Sequence, residues 1–248
     1  MQQGEAFDGR DRRSRRNAAA SHALRLRGCV VRPWGYRALM HVRRRAAAWI
    51  KDDPFGVEFA DIELTPERLA AEGVAIGTTP GPYRLDYRVE TSAGFVTSRL
   101  RVTSRGEGWR RTLDLRRSDA GAWSLAVDGD GDGHLPPGGG DPVSLADALD
   151  CDLGLSPVTN LMPILRHDLL SGGGPVELIT AWVSVPDLSV RRDGQRYSYL
   201  RGSPDHHVVR YEATDGSFTA DITVDREGIV VDYPGIARRL PQPPAVQD

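Results

Sequence analysis

From Trp49 onward the chain is written in short stretches of alternating polar and apolar residues, each cut off by Gly, Pro or Asp, and this pattern constrains the fold most. A strand sends successive side chains to opposite faces, so a period of two builds one apolar face. Tyr83, Leu85, Tyr87 and Val89 share such a face, with Arg84, Asp86 and Arg88 between them. After Ser92-Ala93-Gly94, residues 95–102 run back, which predicts a hairpin. Further strands are expected at residues 111–115 and 123–127, around the Ser118-Asp119-Ala120-Gly121 reversal, and at 164–170, 177–185, 195–200, 208–213, 218–224 and 229–233. Helices contribute little. Thr65 as N-cap with Pro66 in the first turn favours a short helix over residues 65–70, and residues 39–49 allow a short basic one.

The chain therefore reads as mainly β and antiparallel. Tyr87-Arg88-Val89-Glu90 leading to Gly94-Phe95 is echoed by Tyr211-Glu212-Ala213-Thr214 leading to Gly216-Ser217-Phe218, which gives two internal structural repeats if the echo is a true duplication. A length of 248 residues suits one large β domain, since such units run to roughly 200–250 residues. The expected organisation is a basic, poorly ordered extension over 1–45, a single β domain over 46–240 and a tail over 241–248.

Net charge is -2 and pI near 6.3, so nothing global draws the chain to nucleic acid or to an anionic membrane. Lys51 is the only lysine, and the excess of arginine over lysine fits the base composition of the coding DNA better than a phosphate-binding role. Cys29 and Cys151 are too few and too far apart for a disulfide framework, so reduced structural thiols are expected. No apolar run has the length of a signal peptide, and none approaches the ~20 residues that span a bilayer, which points to the cytoplasm. In residues 1–45, Glu5, Asp8 and Asp11 count against an organellar presequence.

Few motifs carry chemistry. Asp128-Gly129-Asp130-Gly131-Asp132-Gly133 has the carboxylates of a calcium loop but no closing glutamate, and reads as a flexible solvated loop. His206 and His207 are adjacent, so in a strand they face opposite ways and cannot chelate together. There is no Gly-x-Ser-x-Gly elbow, and Gly172-Gly173-Gly174 leads into no Gly-Lys-Ser or Gly-Lys-Thr. No cofactor and no metal site is expected.

The segment Ser156-Pro157-Val158-Thr159-Asn160-Leu161-Met162-Pro163-Ile164-Leu165-Arg166 joins turn chemistry to an amide and a cation. Asn160 either closes its own turn or converges with Arg166, Gln195 and Tyr197 on a polar head group. These four are the candidate ligand contacts, and Arg166→Ala is expected to weaken an anionic ligand without unfolding the domain. Trp123, Trp182 and Tyr233 suit either the core or the lining of a cleft. An enzyme acting on a carbohydrate or lipid head group would instead use Asp152, Asp168 or His167 as acid and base, and a partner-binding protein would have a filled interior.

In order along the chain, Trp49 with Glu58, Leu85-Asp86-Tyr87-Arg88-Val89, Gly121-Ala122-Trp123, Leu149-Asp150-Cys151-Asp152-Leu153, the 156–166 segment, Gln195-Arg196-Tyr197 and residues 224–235 resemble the Putative glycolipid-binding family of bacterial proteins. The basic extension and the Gly-rich insertion from about Asp128 to Asp141 depart from it. The resemblance implies a spiral β-roll, a curled and incompletely closed sheet similar to half-open barrels that carry lipoproteins and glycolipids. It supplies no catalytic residues. A sheet larger than its own side chains can fill would leave an apolar cavity on its concave side. The function expected is non-enzymatic binding of an amphipathic molecule, a lipid or glycolipid.

Overall fold

A computed structural model describes residues 42–131 and 133–241. Its strands are Arg43–Lys51 (β1), Gly56–Leu64 (β2), Leu69–Gly77 (β3), Tyr83–Thr91 (β4), Thr97–Gly106 (β5), Trp109–Arg117 (β6), Trp123–Asp130 (β7), Asp150–Leu153 (β8), Val176–Val183 (β9), Val190–Gly202 (β10), His206–Ala213 (β11), Thr219–Asp225 (β12), Val230–Tyr233 (β13) and Ala237–Arg239 (β14). The one α-helix among the described residues, α1, is Leu161–Arg166. Strands β1 to β7 form one antiparallel meander and β9 to β14 another. The two join where β14 pairs with β1, Trp49 opposite Arg239. Strand β8 lies parallel to β9 at the far edge. The result is one 14-stranded curled sheet in which sequence order is circular except for a break between β7 and β8, so it does not close into a barrel.

The alternation seen in the sequence is realised. Burial in β2 and β4 switches at every residue, with Ala60, Ile62 and Leu64 or Leu85 and Val89 inward and charged residues outward. The outward charges pair across and along strands: Arg88 meets Glu72 on β3 and Glu90 on its own strand, and Asp114 takes Arg99 on β5 and Arg116 on its own strand. Those two guanidiniums hold the Asp114 carboxyl well below its usual range. At one end of this convex face Phe55, Val57, Phe59 and Ile76 are exposed.

Inside, two tyrosines lie flat across β3. A Cβ on Gly73 would sit 2.3 Å from the Tyr87 ring, and one on Gly77 equally close to Tyr83. Only glycine lets the rings pass over the strand. Tyr87 thereby reaches β2, where its hydroxyl donates to Glu58 Oε1 at 2.7 Å.

The concave side is not an open hollow. Residues 142–171 leave the sheet after β7 and pack back into it, with Leu145, Ala148, Cys151, Leu153, Val158, Leu161, Met162, Ile164 and Leu169 each at most 1% exposed. Burying a side chain of this kind stabilises by about 1.5–3 kcal/mol, so the sheet holds its own apolar filling. The apolar cavity expected of a sheet too large for its own side chains to fill is therefore replaced by a narrower side pocket.

Four local expectations are corrected. Residues 43–49, allowed as a basic helix, lie in β1, because pairing with both β2 and β14 outweighs the helix preference of Arg and Ala; residues 39–41 fall outside the described part. Thr65 caps a turn instead of a helix: its Oγ1 accepts from Arg68 N at 3.0 Å and β3 starts at Leu69. Residues 164–170, read as a strand, form the end of α1 and a 3-10 turn at Leu169–Ser171. Asp128–Asp130, read as loop, end β7.

The hairpin over β4 and β5 forms, and so does the one over β11 and β12 that echoes it, with Gly94 and Gly216 both in the left-handed region. The expected thiol state suits Cys151, which is buried and free with its pKa pushed up to about 12, mainly by burial. Cys29 lies outside the described residues. Gly73→Ala should cost about 1–3 kcal/mol by forcing the Tyr87 ring off Glu58. Urea unfolding checks this, and an unchanged midpoint would mean the ring has another place to go.

Candidate functional site

The inserted segment is tied to both meanders by carboxylates. Toward β1–β5, Ser156 donates to Glu58 Oε1 at 2.6 Å, and Lys51 lies 2.7 Å from Glu58 Oε2. Arg166, at the end of α1, grips Asp150 through both terminal nitrogens and reaches Phe95 O at 3.4 Å. Thr97 Oγ1 accepts from Cys151 N at 2.9 Å. Toward β10, Gln195 Nε2 donates to Asp152 Oδ2 at 2.7 Å and Thr159 Oγ1 to Asp152 Oδ1 at 2.9 Å. Tyr197 OH donates to Asn160 Oδ1 at 2.9 Å, while Asn160 Nδ2 closes its own turn on Pro157 O at 3.3 Å.

Three of the four candidate contacts are thus brought together. Asn160, Gln195 and Tyr197 form one network with Asp152 and Thr159. Arg166 stands apart in a buried ion pair with Asp150, whose carboxyl is raised by burial and pulled back by the guanidinium. Asn160 closes its own turn and also lines a pocket.

That pocket, about 350 Å³, lies between residues 152–160 and the concave face of the second meander, and Asp152, Ser156, Asn160, Trp182, Tyr211, Phe218 and Tyr233 contribute to its lining. The rings of Tyr211, Phe218 and Tyr233 stand about 6 Å apart by centroid, at 5.9, 6.1 and 6.1 Å, and are mutually tilted. Tyr211 also meets Tyr197 edge to face at 5.4 Å. Arg191 sits over the Trp182 ring at 4.3 Å. Burial raises the pKa of Tyr197, Tyr211 and Tyr233, so their hydroxyls stay protonated. Asp152 is half-buried and lines the pocket.

A larger groove of about 600 Å³ contains Arg45, Asp225, Glu227 and Arg239, whose charges already pair with one another. Of the three acid–base candidates only Asp152 lines the aromatic pocket; Asp168 is exposed and accepts from Ser171 Oγ, and His167 follows α1. Tyr211 and Phe218 were visible in the sequence only as members of the hairpin echo. Their convergence with Trp182 and Tyr233 depends on strands far apart in the chain.

Desolvation, and secondarily the charges of Asp193 and Asp150, raise the Asp152 pKa against the pull of Gln195 and Thr159. The folded protein therefore holds this proton more tightly than an unfolded chain, whose Asp titrates near ~3.9. The resulting stability is full below that value and is lost as pH rises through the folded pKa. Asp152→Asn, which cannot ionise, should gain stability relative to the parent between about pH 4 and about pH 8. Urea unfolding at both pH values checks the sign. Arg166→Met, which strands a buried Asp150, should cost about 3–5 kcal/mol, and adding Asp150→Leu should recover most of it. Full stability of the single variant would contradict this anchoring role.

A family model described as Putative glycolipid-binding matches residues 46–239. A crystal structure of a DUF1089 family protein from Pseudomonas aeruginosa is 28% identical with a TM-score of 0.54, covering 84% of this chain and 100% of that one. A beta-barrel-like protein of DUF1849 from Brucella abortus is 11% identical with a TM-score of 0.43, covering 80% and 94%. No curated protein matches. No helix among the described residues is long and apolar enough to cross a membrane.

Proposed function

The chain belongs to the Putative glycolipid-binding family, and we propose that its aromatic pocket holds the sugar group of an amphipathic ligand. The observation that carries this reading is that one concavity offers both ring faces and fixed hydrogen-bonding groups. A sugar ring has an apolar C–H face and a rim of hydroxyls. Tyr211, Phe218 and Tyr233 suit the face, and Asp152 with Asn160 suits the rim.

A volume of about 350 Å³ is near the lower end of the ~300–1,000 Å³ typical of ligand sites. This space suits a head group, and an acyl chain cannot follow into the interior because residues 142–171 occupy it. In this reading Asn160 is a direct contact. Gln195 and Tyr197 act behind the lining, each holding one polar group of it in place. Arg166 braces α1 against β8 through Asp150, within the inserted segment. Binding without catalysis is favoured because only one of the acid–base candidates reaches the pocket.

Isothermal titration with octyl β-D-glucoside below its micelle concentration tests the proposal. Saturable binding is expected, weakened about tenfold by Phe218→Ala, which corresponds to ~1.4 kcal/mol. Binding that is indifferent to Phe218, with the fold intact, would move the ligand elsewhere.

A further inference from the structure

Three carboxylates point into the interior around the inserted segment, and they are not treated alike. Glu58 has Lys51 at 2.7 Å. Asp150 has the Arg166 guanidinium. Asp152 has only neutral partners, the Gln195 amide and the Thr159 hydroxyl, and makes no ion pair among the described residues. No Lys, Arg or His lines the pocket that it faces. A charge withdrawn from water normally acquires a counter-charge. Here the position a cation would take is the open pocket itself.

The walls agree with this. Aromatic faces are the negative pole of the ring quadrupole and attract cations within about 6 Å. Tyr211, Phe218 and Tyr233 line the same pocket as the carboxylate, their rings tilted against one another. Trp182 already carries a cation, the Arg191 guanidinium, and Asp193 lies 3.8 Å from that group. Burial raises the Asp152 pKa with no cation there to offset it. A neutral sugar would leave that anion as it stands.

Resting on the reading of this pocket as the ligand site, we propose that the group it selects is an ammonium, carried on an amino sugar, which supplies Asp152 with its missing counter-charge against the Tyr211, Phe218 and Tyr233 rings. A nitrogen donor on the ring would add a charge-assisted hydrogen bond where a hydroxyl offers a neutral one, and such bonds are roughly twice as strong.

The test compares four amphiphiles of equal chain length by titration calorimetry at neutral pH: octyl glucoside, its 2-amino-2-deoxy analogue, the N-acetylated form of that analogue, and octyltrimethylammonium, which has no sugar. The amino sugar is expected to bind at least tenfold tighter than both neutral sugars, and Asp152→Asn to remove that preference, read as the ratio of amino-sugar to neutral-sugar affinity on the same variant. Equal affinity of the amino and neutral sugars would overturn the ammonium inference and leave the sugar pocket standing. Octyltrimethylammonium binding as tightly as the amino sugar, with the same loss in Asp152→Asn, would support the ammonium and discard the sugar. Absence of binding by all four would sink both readings together.

Discussion

Burying a carboxylate without donors is expensive, and the whole interior is arranged around that constraint. Glu58 and Asp152 take partners across the boundary between residues 142–171 and the sheet, Ser156 reaching Glu58 on β2 and Gln195 on β10 reaching Asp152, while Arg166 pairs with Asp150 within the segment. Apolar burial makes the segment go inside; the carboxylates decide where it stops. A purely apolar filling would tolerate a slip along the sheet, whereas a displaced segment would take Ser156 from Glu58 and Asp152 from Gln195. The pocket exists because the segment is held at this depth and leaves the aromatic side of the second meander partly uncovered.

Much of the sheet was legible because its signal is local. The Tyr83-Leu85-Tyr87-Val89 face needs only a period of two, and the Ser118–Gly121 reversal is confirmed by Gly121 N donating to Ser118 O at 2.9 Å. In β1, local preference met a tertiary contact. Arg43-Arg44-Arg45-Ala46-Ala47-Ala48 is helical by propensity, but residue-by-residue pairing with β2, joined by β14 from Trp49, holds it extended. The run from Ile164 to Leu170 reads as a strand because α1 has only six residues and ends at Arg166, too short for a helical period to show in the sequence.

The site was half legible. Asn160, Gln195 and Tyr197 stood out as groups suited to a polar head group, and they do meet. Arg166 stood out for the same reason, yet its charge is used internally. The aromatic wall could not be assembled from the sequence, since Trp182, Tyr211, Phe218 and Tyr233 sit on or beside four different strands. Asp152 drew notice as a potential acid. Its significance lies in which partners it lacks, and only coordinates show that.

The pairing of β14 with β1 joins residues about as far apart as the described chain allows, Trp49 with Arg239. During synthesis β1 must therefore wait, one edge bare, until nearly every later strand has left the ribosome. Contacts of such sequence separation form slowly, and an unsatisfied strand edge invites pairing with other nascent chains. The seam that unites the two meanders is thus also the last to shut and the place where crowded translation would expose this protein to a holdase chaperone.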